Sequence, residues 1–358
     1  MMKDIFRILA INPGSTSTKV AVYDNEILLF EQVVRYSNED LAPFESVIAQ
    51  YEFRKNGILE MLADKGVALE SLDAVVGRGG LLKPISGGTY AVNATMLEAL
   101  RLAERGEHAS NLGGVIAKEI GDKLHIPSYI VDPVVVDELA DIARVSGIPG
   151  YDRLSTFHAL NQKAVARRIS KELGKSYDKA NLIIAHMGGG ITVGAHQGGR
   201  VIEVNDGLYG EGPFSPERAG SVPTGHMLDL CFSGEHTSNE VKKIIAGKGG
   251  LVAYLGTNDG REVVKRIEAG DAKAKLVYEA MAYQIAKEIA ADAAVLFGKV
   301  DAIVLTGGLA YDKLLVQLIT ERVRFIAEVK VVPGEHEMIA LTEGALRVLR
   351  GEETAKEY

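Results

Sequence analysis

Apolar residues in the first part of the chain come in short runs separated by polar turns. Ile8-Leu9-Ala10-Ile11 stops at Asn12-Pro13-Gly14; Ser15, Thr16, Ser17, Thr18 and Lys19 follow, and Val20-Ala21-Val22-Tyr23 opens a second run. Runs of this length, bounded by turn residues, predict strands at about 5–12, 18–24 and 26–35, the last two joined at Asp24-Asn25. Phe44, Val47, Ile48 and Tyr51 recur at helical spacing and predict a helix over 43–65. Leu72-Asp73-Ala74-Val75-Val76 then reads as a strand that delivers Gly77-Arg78-Gly79-Gly80 at its carboxyl end. Helices are expected at 93–105, capped by Asn93, and at 109–123, before a strand from Pro127 that presents Asp132.

The opening pattern returns later. Residues 181–206 again read as apolar run, glycine-rich turn (Gly188-Gly189-Gly190), strand, two-residue turn and strand. Twelve residues separate Asn12 from the Asp24 turn, and twelve separate His186 from the turn at Gly198. Two equivalent halves, each with a phosphate-sized turn, predict a duplicated α/β domain closing on a nucleotide. The linker is placed at 150–160, giving domains 1–155 and 156–336, with the final helix at 337–350 packing back on the first. Between these lie a helix over 159–174 and a loop from Gly207 to Pro223 with four glycines and three prolines. Helices fill 224–298, with a break at 254–261. A strand at 301–306 runs into Gly307-Gly308 and a helix near Ala310, and another strand covers 329–332.

Composition narrows the partners. The chain has 358 residues and a formal charge of −8, which disfavours nucleic acid or an anionic membrane surface as a partner. A single cysteine, Cys231, excludes an intramolecular disulfide, and no Cys/His spacing resembles a zinc site. No apolar run approaches the ~18–20 residues of a membrane span, and none resembles a signal segment, so the expected location is the cytoplasm.

Several residues are candidates for chemistry. The Asn12–Lys19 turn offers hydroxyls, amides and one ammonium to an anion, or is an ordinary Ser/Thr-rich hairpin. It is no Walker A loop, because a strand follows it where a helix should. Arg78 lies at a strand end, where open α/β sheets bind ligands, and its planar fork suits carboxylate or phosphate; it also reads as a solvated surface arginine. Asp132 is a candidate for magnesium or a turn-forming residue before proline. His158 is a site histidine or a helix cap. Arg218 is the only cation of the 207–223 loop. Gly307-Gly308 between strand and helix allows close approach of a nucleoside, or only tight packing.

Taken together, NPGSTSTKVAVYD, GRGG, FHALN, AHMGGGITVGAH, GPFSPERAGSVP and LTEGALR resemble the acetokinase family of the actin/Hsp70/sugar-kinase superfamily, in the expected order over nearly the whole chain. The resemblance implies two duplicated RNase H-like domains of the actin-like ATPase fold with a central nucleotide cleft. It implies an ATP-dependent carboxylate kinase that converts butyrate, or a similar short or branched acid, reversibly to acyl phosphate and ADP by in-line transfer with Mg²⁺. Acetate or propionate kinase and sugar kinase are the alternatives, and a filament protein the non-enzymatic one. By the same resemblance Arg78, His158 and Arg218 are catalytic. Asn12, Ser15, Ser17, Lys19, His186, Gly188, Gly189, Asp259, Arg261, Gly307 and Gly308 bind nucleotide and phosphates. Asp132 and Glu343 are associated with the metal, and the protein is a dimer or a multiple of one. Two departures from acetate kinases, Gly79-Gly80 after Arg78 and Ala219-Gly220-Ser221-Val222-Pro223 after Arg218, point away from acetate. They suggest an acyl pocket floored by Gly80 and flanked by Phe157 and Phe214.

Overall fold

The computed structural model describes residues 4–358 and divides into two compact units, one made of the chain up to Val136 together with His336–Tyr358, the other of Asp137–Glu335. The first unit opens with β1 (Arg7–Pro13), β2 (Ser17–Asp24) and β3 (Ile27–Arg35), an antiparallel meander. After a single capped turn, α1 (Asn38–Leu41), comes α2 (Tyr51–Asp64). Helix α2 starts later than its apolar spacing predicts, behind a 3₁₀ turn at Ile48–Gln50. Then follow β4 (Ala74–Arg78), β5 (Thr89–Ala91), α3 (Ala94–Leu102), α4 (Asn111–Leu124) and β6 (Ser128–Val131). The three-residue β5 was not anticipated, being too short to carry a period. The sheet order is β3-β2-β1-β4-β6-β5, with β1, β4 and β6 parallel.

Alternation along the strands decides what faces what. Leu9, Ile11 and Val75 point to the α2/α4 side, where they pack with Ile58, Leu62 and Ile116. The intervening positions, Asn12 on β1 and Arg78 on β4, therefore point to the opposite face.

The second unit begins with α5 (Asp141–Arg144) and α6 (Ala159–Glu172). Residues 137–155, which the sequence reading grouped with the first domain, cluster instead with this unit. Ala140 N–H donates to Ile202 O at 2.9 Å, and Arg153 pairs with Glu203 at 2.7 Å and Glu211 at 3.0 Å. Strands β7 (Leu182–Met187), β8 (Ile191–Gln197) and β9 (Arg200–Val204) form the second meander. Five helices follow: α7 (Thr224–Phe232), α8 (Ser238–Ile245), α9 (Gly250–Leu255), α10 (Gly260–Glu268) and α11 (Ala272–Val295). Then come β10 (Ala302–Gly307), α12 (Lys313–Val323) and β11 (Val329–Pro333). A 3₁₀ turn, Gly308–Tyr311, intervenes before α12, so the glycine pair does not open the helix directly. The order β11-β10-β7-β8-β9 repeats that of the first sheet, meander first and parallel strands beyond it. Ile183, Ala185, Ile303 and Leu305 pack under α11 and α12, while Leu182 and Ile184 face α6 with Val165 and Ile169. His186, next in that alternation, thus faces α6.

The chain returns to the first unit as α13 (Glu337–Leu349), which covers the face of β1, β4 and β6 that carries Asn12 and Arg78.

Candidate active site

In the first unit, the turn after β1 is closed by Gly14 N–H donating to Ser17 O at 2.7 Å. Its carbonyls turn inward to Arg54 of α2, a side chain only 1% exposed. Arg54 donates from Nη1 to Gly14 O (2.7 Å) and Ser17 O (3.2 Å), from Nη2 to Ser15 O (2.7 Å), and to Gln50 Oε1. Tyr36 lies against its guanidinium at 4.7 Å. Carbonyls held on the inner side leave the Ser15 and Ser17 hydroxyls on the outer one. Lys19 pairs across the meander with Glu31 at 3.8 Å and sits opposite Asn12 in register, on the α13 face.

At the strand ends, Glu337, the first residue of α13, joins two predicted site residues. Its Oε2 accepts from Asn12 Nδ2 at 2.6 Å and its Oε1 from Arg78 Nη1. Held at the first turn of α13, Glu337 orients both partners.

In the second unit, His158 at the start of α6 stacks on His186 of β7, ring centroids 3.8 Å apart and planes 12° apart. His158 Nδ1 lies 2.9 Å from Thr192 Oγ1 and His186 Nδ1 2.8 Å from Asn161 Oδ1. Arg218 closes the group: its Nη1 donates to Gly207 O, and Thr192 Cγ2 packs against Gly207. A side chain at Gly190 would strike the Arg218 guanidinium, so the glycine-rich turn and this arginine lie against each other. Ser215 Oγ donates to Gly189 O at 2.6 Å and ties the 207–223 loop to the turn. Burial weakens the proton affinity of Arg218, while Glu217 and Asp206 act in the opposite sense. Burial also pushes the Asp206 carboxyl up, although the Leu208 and Tyr209 amides donate to its Oδ1. Farther along, Gly260 packs on Leu309, so the start of α10 lies against the 3₁₀ turn Gly308–Tyr311.

A family model, the acetokinase family, matches residues 151–332, just over half of the chain. The chain belongs to the acetokinase family. That makes it a carboxylate kinase by class. Its fold is similar to an acetate kinase from Porphyromonas gingivalis (TM-score 0.76, 21% identity, covering 95% of this chain and 99% of that one). It is also similar to a propionate kinase from Francisella tularensis subsp. tularensis SCHU S4 (TM-score 0.74, 19% identity, 95% and 98% covered). A ROK family protein from Streptococcus pneumoniae TIGR4, solved with sucrose, matches at TM-score 0.54 and 13% identity over 97% and 100% of the two chains. These likenesses speak to the fold: it is the α/β actin-like ATPase fold with two duplicated sheets.

Not every residue expected in an acetokinase site has open space around it. A Cβ at Gly80 would meet Asn111 Oδ1 and lie 2.5 Å from Asn111 Cα, so the missing side chain lets α4 approach and opens no pocket. Phe214 is 7% exposed, belongs to the α11 core and meets the Tyr254 ring at a tilted angle of 44°; Phe157 is 3% exposed. Gly80 is therefore a close-approach position beside α4, and Phe157 and Phe214 are buried side chains. Asp132 is 1% exposed, and its Oδ1 accepts from the Gly88 amide at 2.7 Å. Glu343 lies six residues beyond Glu337 on the half-buried side of α13. Asp259 caps α10 and pairs with Arg261 at 2.8 Å, which holds the carboxylate at about 2, the Arg261 hydrogen bonds being the main cause. Sequence reasoning missed Arg54 and Glu337. The only available signals were a cation within a predicted helix and an acid at a helix start, and both are commonplace.

Proposed function

We propose that this protein is an ATP-dependent kinase of a short-chain carboxylic acid, butyrate or a close analogue, forming acyl phosphate and ADP reversibly by direct in-line transfer. The observation that carries the reading is the convergence of His158, His186 and Arg218 on the Gly188–Gly190 turn, all of them hydrogen-bond donors or cations. A carboxylate is already a nucleophile at neutral pH. The work left to the protein is to bring two anions together and to stabilise charge on the transferring group. Arg78 is assigned to the acid and Arg218 to the phosphoryl group. The Asn12–Lys19 turn is assigned to the nucleotide phosphates, and Asp259, Arg261, Gly307 and Gly308 to the adenosine side.

Magnesium enters with the nucleotide in this reading. Among the described residues no three His, Cys, Asp or Glu side chains approach closely enough to hold an ion unaided. Mg²⁺ keeps several waters and takes one or two carboxylates plus substrate phosphates, which the Asn12–Glu337 pair fits. Asp132 and Glu343 are the further acidic candidates. Bound there, the ion would neutralise phosphate charge.

The preference for a four-carbon acid rests on the small Ala219–Pro223 segment after Arg218. Acetate or propionate is the second reading, favoured because Asn111 fills the space beside Gly80. Hydroxylamine trapping of acyl phosphate across acetate, propionate, butyrate, isobutyrate and valerate decides between them. The expected result is the highest kcat/KM with a four-carbon acid. Release of ADP that depends on alcohols and not on acids would overturn the carboxylate reading.

A further inference from the structure

Tyr177, His196, Gln162, Thr192 and His158 form one continuous hydrogen-bonded chain within the second unit. Tyr177 Oη lies 2.8 Å from His196 Nδ1, and His196 Nε2 lies 3.0 Å from Gln162 Oε1. Gln162 Nε2 donates to Thr192 O at 3.0 Å and to Thr192 Oγ1 at 2.9 Å, and Thr192 Oγ1 lies 2.9 Å from His158 Nδ1. His196, Gln162 and Thr192 are each 0% exposed.

The backbone carbonyl of Thr192 decides the direction of this chain. Only the amide nitrogen of Gln162 can face a carbonyl oxygen, so Oε1 faces His196 and accepts from its Nε2–H. Thr192 Oγ1 accepts from Gln162, and the acceptor in reach of its own buried proton is His158 Nδ1, to which it donates. A second amide, Asn161, adjoins Gln162 on α6 and works with the opposite result. Its Nδ2 donates to Glu335 O at 2.6 Å, so its Oδ1 faces His186 and requires a proton on His186 Nδ1.

We infer that Asn161 and Gln162 are positioning residues that assign opposite tautomers to the stacked histidines. In the neutral rings His158 carries its proton on Nε2, whereas His186 carries its proton on Nδ1. Stacked at 3.8 Å, the rings disfavour two simultaneous positive charges. The position that a Cβ would occupy at Gly188 lies 3.5 Å from His186 Nε2, so that nitrogen faces the phosphate turn. This inference rests on the kinase reading for its catalytic consequence but not for the tautomers.

The test has two arms. Imidazole nitrogen NMR of the full chain, without substrate, is expected to show His158 protonated at Nε2 and His186 at Nδ1. The same tautomer on both rings, or the reverse assignment, overturns the inference without bearing on the kinase reading. The second arm is Gln162→Glu, whose carboxylate draws the Thr192 hydroxyl proton and makes His158 donate from Nδ1. Its Nε2 then donates only when the ring is charged. Acyl phosphate formation is expected to fall about 10²-fold at neutral pH, as for loss of one donor to developing charge, and to recover as pH is lowered. Among the described residues, the other titratable or charged groups around this ring and its chain include His186 on β7, His196 on β8, Arg218 across Gly207, Tyr177 with Lys163 and Arg167 of α6 over its ring, Glu138 paired with Lys163, and Glu335 beyond Asn161. A pH profile parallel to wild type in folded Gln162→Glu overturns the catalytic consequence. Should that variant not fold, Thr192→Val is used instead. It is expected to give a mixture of His158 tautomers by NMR that Thr192→Ser restores, and an unchanged His158 spectrum would overturn the wiring.

Discussion

The strongest single perturbation of the nucleotide turn is Arg54→Lys, because it keeps charge and stem while removing the fork. Arg54 serves three backbone carbonyls, Gly14, Ser15 and Ser17, from two nitrogens, and also Gln50. A lysine ammonium in the same space reaches one or two of these acceptors, so at least two bonds from a charged donor are lost. Such bonds are worth about 1.5–3 kcal/mol each when buried. The half-exposed turn lets Gly14 and Ser15 carbonyls recover water, which lowers the net loss to about 2–3 kcal/mol. For a unit of this size that corresponds to a melting shift of roughly 4–12 °C. If the loss falls on the turn's conformation, the fraction competent for phosphate drops and ATP affinity falls at least about tenfold. Calorimetric titration with ATP measures the affinity, and thermal denaturation followed by circular dichroism measures the shift. A folded Arg54→Lys protein with a lowered melting temperature but wild-type ATP affinity would refute the assignment of this turn to phosphate.

Arg78→Ala and Arg218→Ala are each expected to lower kcat by about 10²–10³, the usual cost of one preorganised charge donor, with the fold intact by circular dichroism; wild-type turnover in either would remove that arginine from the site. Gly80→Ala drives a methyl into Asn111 and should cost about 1–3 kcal/mol of stability while lowering activity on acetate, propionate and butyrate alike; a loss that depends on acid chain length would restore the pocket assignment. Asp292, 3% exposed on α11 with an unpartnered Oδ2, has its carboxyl raised well above the usual range, chiefly by burial and then by Glu288 and Glu203. A carboxyl raised on folding adds stability that is full below its unfolded value near 3.8 and is lost as pH rises through the folded value. Urea titrations of Asp292→Asn between pH 4 and 8 should therefore show a flatter decline than wild type, and an unchanged decline would mean Asp292 is not the group responsible. Removing divalent metal with EDTA should abolish activity without changing the melting curve, since the ion arrives with the nucleotide.

What the sequence determined by itself lies within reach of a few neighbouring residues. Runs of apolar residues and their turns defined both meanders and, through alternation, the face of the first sheet that carries Asn12 and Arg78 and the face of the second that carries His186. The twelve-residue recurrence revealed the duplication that the two sheet orders display. Tertiary structure decided the rest, because the partners are distant in the chain: Glu337 meets Arg78 and Asn12 across 259 and 325 residues. No local period marks Arg54 as a clamp for carbonyls forty residues earlier, or tells an arginine on a polar helix face from one buried under a turn. The glycine after Gly79 reads equally as an opened pocket or as room for a helix, and only the position of Asn111 distinguishes them. Likewise, His158, Gln162 and His196 are ordinary residues of a helix and a strand until packing aligns their donors and acceptors. Local propensity specifies which way a side chain leaves the backbone, whereas its protonation, partner and role depend on what long-range packing places opposite it.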